Sequence, residues 1–87
     1  IENLPKNLEI IDASKNNITE FKKDSFPKSI NTIILDKNLI FNVDGYPTNL
    51  VDLDLSNNEI TILPDIINTN LRCLKLNNNK LKKINCK

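Results

Sequence analysis

Leu50, Leu53, Leu55 and Ile60 fall at positions 1, 4, 6 and 11 of an eleven-residue stretch, with Asn58 at position 9. That spacing matches neither simple element: an amphipathic helix repeats every three to four residues, and a two-faced strand alternates throughout. Alternation holds only across Leu53-Asp54-Leu55, which predicts a short strand there. The chain must then turn sharply at Asn58. The stretch reads as one arc of a coil whose aliphatic residues all face one side.

A single coil cannot bury its own aliphatic face, so similar coils are expected above and below it. The sequence supplies them. Leu8, Ile11, Ala13, Asn16 and Ile18 occupy the same five positions, as do Ile30, Ile33, Leu35, Asn38 and Ile40, and Leu71, Leu74, Leu76, Asn79 and Leu81. The four repeats start near residues 8, 30, 50 and 71, giving periods of 22, 20 and 21 residues. Strands are expected near residues 10–12 and 32–34, pairing in parallel one coil apart as a four-stranded sheet on the inner face.

The return segments are too short for more than one helical turn, so extended chain or a 3₁₀ turn is predicted. Phe21 and Phe26 are expected to point inward on the first return, and Phe41, Val43 and Tyr46 to line the second. Ile62, Leu63 and Ile66 or Ile67 would fill the third. Asp44-Gly45, which holds the only glycine, reads as a turn. Ala13 underfills the first layer, with Ile10 or Phe21 the candidates to compensate. Leu4 packs beneath that layer, after which Pro5 holds the approach extended.

The asparagines at 16, 38, 58 and 79 would then stack as a structural ladder. A carboxamide carries two donors and an acceptor, enough to satisfy backbone groups in the turn that would otherwise be costly orphans. The chain holds sixteen asparagines; the remaining twelve reflect genome composition as much as physics.

These residues resemble the leucine-rich repeat family, L-x-x-L-x-L-x-x-N-x-L, over nearly the whole chain. Proline stands three residues before the repeat start at Pro5, Pro27 and Pro47, with Asn68 in that place in the fourth repeat. Leu4-Pro5-Lys6-Asn7-Leu8 and Leu63-Pro64 are similar to the short L-P-x-x-L repeats of secreted bacterial effectors. Phe21 and Phe26 resemble the convex phenylalanines of extracellular receptor repeats such as those of Toll-like receptors. The resemblance implies an α/β-class leucine-rich-repeat solenoid with little or no α-helix: a parallel sheet on the concave face, and extended or 3₁₀ segments on the convex face. It also favours a secreted protein or a delivered effector.

Eighty-seven residues allow one domain, so residues 1–87 are read as a single repeat domain. The chain begins at Ile1 without an initiator methionine or signal peptide, and it is expected to be a piece of a longer protein. A net charge of +1 from 12 basic and 11 acidic residues lacks the basic excess of a nucleic-acid binder. No apolar run reaches the roughly 18 residues of a membrane-spanning helix. Cys73 lies on the fourth strand and Cys86 on the return of the same coil, too far apart for the roughly 7 Å separation of bonded alpha carbons. Free thiols are expected.

Catalytic chemistry is poorly provided for. Histidine is absent, which removes Ser-His-Asp triads and histidine metal sites. One glycine cannot build a phosphate cradle. Asp52 and Asp54 share one strand face and Asp12 lies two strands away, but a flat sheet offers carboxylates no cleft. No enzyme activity, cofactor or metal is expected.

The period places Ile10, Thr32, Asp52 and Cys73 at position 3, Asp12, Ile34, Asp54 and Lys75 at position 5, and Ser14, Asp36, Ser56 and Asn77 at position 7. These positions line the concave face. Ile10 and Ile34 are apolar where the template does not demand it; they are either anchors for a protein partner or β-branched residues that suit a strand. The expected function is protein–protein recognition through this face. The alternative is an interior structural segment of a receptor ectodomain or secreted effector, with uncapped ends that self-associate. Asn17-Ile18-Thr19 matches the N-glycosylation sequon, a three-residue match for which chance is the default explanation. Lys80, Lys82, Lys83 and Lys87 read as a solvated face.

Overall fold

The computed structural model describes residues 4–66 and 70–81. Four strands, β1 (Ile10–Asp12), β3 (Thr32–Ile34), β5 (Asp52–Asp54) and β6 (Cys73–Lys75), form one parallel sheet in the order β1-β3-β5-β6. Two more, β2 (Glu20–Phe21) and β4 (Asn42–Val43), pair in parallel on the opposite side of the coil. One 3₁₀ turn spans Lys23–Ser25, and no α-helix occurs among the described residues.

Register in the main sheet follows the repeat positions. Ile10 pairs with Thr32, Thr32 with Asp52, and Asp52 with Cys73. The same backbone bonds recur at each step. The N–H groups of Asn31 and Thr32 share the Glu9 carbonyl, those of Val51 and Asp52 the Asn31 carbonyl, and those of Arg72 and Cys73 the Val51 carbonyl. The third strand runs one residue earlier than the Leu53-Asp54-Leu55 alternation predicts. Leu55 still donates to the Lys75 carbonyl at 2.9 Å, but the chain bends there toward a left-handed residue two places on.

That residue is position 8 in every coil. Lys15, Lys37, Asn57 and Asn78 have φ of 59°, 61°, 57° and 60°. Left-handed backbone at one residue reverses the chain after the strand at a steric cost that asparagine tolerates and lysine does not relieve. Before β1, β3 and β5, a second turn recurs. Leu8, Ile30 and Leu50 donate to the carbonyls of Pro5, Pro27 and Pro47 at 3.1–3.3 Å. Each proline therefore opens a hydrogen-bonded turn and not merely an extended approach.

The core is densest in the middle. Ile30, Ile33, Leu35, Ile40, Leu50, Leu53, Leu55 and Ile60 are all at most 1% exposed. Each such side chain contributes about 1.5–3 kcal/mol through burial. Leu8, Ile11, Ala13 and Ile18 in the first coil, and Leu71, Leu74, Leu76 and Leu81 in the last, are only partly buried against that core.

Phe21 is buried in the core cluster that Ala13 packs against and meets Phe26 with tilted rings, centroids 5.3 Å apart, whereas Ile10 is exposed. On the second return Val43 and Tyr46 are buried, but Phe41 is exposed because it falls out of phase with the inward Ile40 and Val43. Ile62 and Ile66 are also exposed, Leu63 is half-buried, and Ile67 lies outside the described residues. Asp44-Gly45 is not a turn, and Gly45 has no positive φ. Asp44 instead accepts the Lys23 N–H through Oδ1 at 2.8 Å, and a Cβ on Gly45 would stand 2.9 Å from Lys23 Cδ.

Candidate functional site on the concave sheet face

Positions 3 and 5 of each strand project from the sheet away from the core, while position 4 points into it. One row across the sheet reads Ile10, Thr32, Asp52, Cys73; the other reads Asp12, Ile34, Asp54, Lys75. Ile10 is 60% exposed, Asp52, Cys73 and Lys75 are exposed, and Thr32, Ile34 and Asp54 are half-buried. A hollow of about 320 Å³ lies over the middle of the face, lined by Thr32, Ile34, Asp52, Asp54, Cys73 and Lys75. Cys86 lies outside the described residues, and so does the expectation about its pairing with Cys73.

The carboxylates are held individually, not as a pair. Asp12 is separated from Asp54 by Ile34 in the register. The Ser14 hydroxyl donates to Asp12 Oδ1 at 2.7 Å and the Ser14 N–H at 3.1 Å, and these bonds hold the Asp12 carboxyl below its ordinary value. Asp54 Oδ1 accepts the backbone N–H of Ser56 at 3.0 Å. Asp36, at position 7, faces sideways along the turn and accepts from Asn57 Nδ2 at 2.8 Å. No group of three His, Cys, Asp or Glu residues among the described residues could hold a metal ion.

Behind this face the position-9 asparagines make a recurring set of bonds. The Oδ1 atoms of Asn38, Asn58 and Asn79 accept the N–H groups of Ile18, Ile40 and Ile60 at 3.0–3.1 Å. Their Nδ2 groups donate to the position-6 carbonyl of their own coil and to that of the coil before: Leu35 and Ala13 for Asn38, Leu55 and Leu35 for Asn58, Leu76 and Leu55 for Asn79. Among the described residues Asn16 bonds only within its own turn, to the Ala13 and Ser14 carbonyls, and is exposed.

Two further polar series escaped the sequence reading. Asn78 donates to Asn57 Oδ1 at 2.9 Å, and Asn57 donates onward to Asp36, linking three coils at the turn. Just before the second, third and fourth repeat starts, Ser29, Asn49 and Asn70 donate to the carbonyls of Lys6, Lys28 and Thr48 in the preceding coil. Several asparagines assigned to composition therefore have structural partners. The available signal was their fixed offset from the leucines.

Parallel coils of near-constant repeat length, each with one strand and one amide-bonded turn, define a solenoid repeat protein. The Leucine Rich Repeat family model matches residues 7–32 and 49–69, more than half of the chain, and the protein belongs to the leucine-rich repeat family. Proteins of this family are generally protein-interaction modules. No curated protein and no solved structure matches the chain. Between the two matched segments, Leu35, Asn38 and Ile40 make the same contacts as their counterparts in the next coil.

Proposed function

We propose that the chain is a recognition module that binds another protein, without catalysis, through the concave sheet face. The observation that carries this reading is two aliphatics on the outward face, Ile10, 60% exposed, and Ile34, half-buried and diagonal to it across β1 and β3, among polar neighbours. Ile34, flanked by Thr32 along its strand and by Asp54 across the register, with Asp52 and Lys75 beyond, gives an apolar contact with a polar border, the composition of a protein interface. Asp12 and Asp36 extend its acidic border. No nucleic acid, cofactor or metal enters this reading. The test is affinity capture of partners, repeated with Ile34→Glu and Asp54→Lys. Loss of a genuine partner with a retained cooperative melt supports the face, and unchanged affinity for every partner rules it out.

Within the family, the recurring turns at Pro5, Pro27 and Pro47 favour the L-P-x-x-L effector-type group over the receptor type, with the four coils forming one domain. The partly buried layers of the first and last coils favour a second reading, in which they stack on further coils. A light-scattering mass that rises with concentration supports that stacking; a constant monomer mass counts against it.

A further inference from the structure

The flank beyond the asparagine turns carries an apolar feature that the concave-face reading does not use. Leu39 is 48% and Phe41 58% exposed, whereas Ile40 between them is fully buried. The segment runs beside residues 17–19 of the first coil: the Leu39 N–H donates to the Ile18 carbonyl at 2.9 Å and the Phe41 N–H to the Thr19 carbonyl at 3.0 Å. Asn17 and Thr19 are therefore the first-coil counterparts of Leu39 and Phe41, about one strand spacing away, roughly 4.8 Å. Asn17 and Thr19 are exposed, and Ile18 between them packs against the core. Among the described residues, neither the Asn17 carboxamide nor the Thr19 hydroxyl has a hydrogen-bond partner, unlike the neighbouring Asn16.

The geometry points to Asn17 as an N-glycan acceptor, the proximal sugars of which lie over Leu39 and Phe41. Two independent features meet here: the Asn17-Ile18-Thr19 sequon, with both polar members outward and free, and an apolar pair on the same flank one coil away. The apolar face of a sugar ring can cover an aromatic ring while its hydroxyls stay in water, and N-glycans are bulky, solubilising surface groups. In the reaction, the Asn17 amide nitrogen bonds to the anomeric carbon of a lipid-diphosphate-linked oligosaccharide. The bond from that carbon to the diphosphate oxygen breaks, the lipid diphosphate departs, and the amide gives up one proton.

The chain, translated behind a cleavable signal peptide in the presence of microsomes, is expected to gain mass that an endoglycosidase removes. Thr19→Ser retains the gain; Asn17→Gln and Thr19→Ala lose it. Unmodified wild type overturns the acceptor assignment. For the covering role, the glycosylated protein is melted before and after enzymatic removal of the glycan. Wild type is expected to lose several degrees, and Phe41→Ser little or nothing. Equal losses in the two proteins, or none in wild type, overturn it.

Discussion

The Asn58 Oδ1 atom accepts the Ile40 backbone N–H at 3.0 Å, eighteen residues back along the chain. The same carboxamide donates to the Leu35, Leu55 and Ser56 carbonyls. One buried side chain thus fastens its own turn and secures the end of the previous coil. Asn58→Leu strands these groups, and the loss is expected to be about 1–3 kcal/mol or more. Asn16→Leu, at an exposed turn without a preceding coil among the described residues, is expected to cost much less. Urea denaturation of both variants checks the ranking, and equal losses would contradict it.

Position 8 separates two kinds of left-handed residue. Lys37 holds φ of 61°, and its side chain makes no compensating hydrogen bond among the described residues, so Lys37→Gly relieves steric strain of about 1–2 kcal/mol, part of which the extra freedom of the unfolded glycine offsets. The net is expected to be neutral to stabilising. Asn57→Gly, in contrast, deletes the link between Asp36 and Asn78 and is expected to destabilise. Thermal melts of the pair should move in opposite directions, or only the second should fall.

Tyr46 predicts an alkaline limit. Its hydroxyl donates to the Pro64 carbonyl at 2.9 Å. Burial, with a smaller push from the Asp65 charge, raises its pKa from 10.0 to about 12. The unfolded chain then releases this proton at a lower pH than the folded one. The contribution is fully present below pH 10.0 and lost as pH rises toward about 12. Tyr46→Phe should lose a net hydrogen bond of about 1 kcal/mol at neutral pH and show a shallower decline above pH 10. Parallel decline of the two proteins would remove Tyr46 as the cause.

Gly45 is expected to tolerate alanine. It needs no positive φ, and the atom nearest to an added Cβ is Cδ of the flexible Lys23 side chain. Gly45→Ala also restricts the unfolded chain, worth about 0.4–1 kcal/mol where the conformation is compatible. A melting temperature equal to or above wild type is the expected result; a marked fall would mean that the Lys23 stem cannot move aside.

Much of this architecture could be read in advance because burial acts on spacing. Position 4 must face the core for Ile11, Ile33, Leu53 and Leu74 to be covered, and that requirement sets strand direction, register and the outward rows together. The return paths were harder. Phe41 is as apolar as Phe21, and only the phase set by Ile40 and Val43 turns it outward. The left-handed position was hidden by Lys15 and Lys37, which carry no conformational signature. Gly45 misled because a missing side chain serves close approach as well as turns. The sideways role of Asp36 depends on Asn57, 21 residues on, and no local pattern in the sequence announces it. The outward rows themselves follow from the period, but what they bind is a matter of chemistry on a partner.

The proline turns give the first three coils the same entry point, and this makes that part of the chain editable in whole units. Excising residues 30–49 would join Ser29 to Leu50, so that the turn at Pro27 leads into Leu50 in place of Ile30, and Asn58 would meet Ile18 and Ala13 in place of Ile40 and Leu35. A shortened protein that still melts in one sharp step, at lower temperature, is the anticipated product; a ten-residue excision, which leaves leucines facing turns, should yield none.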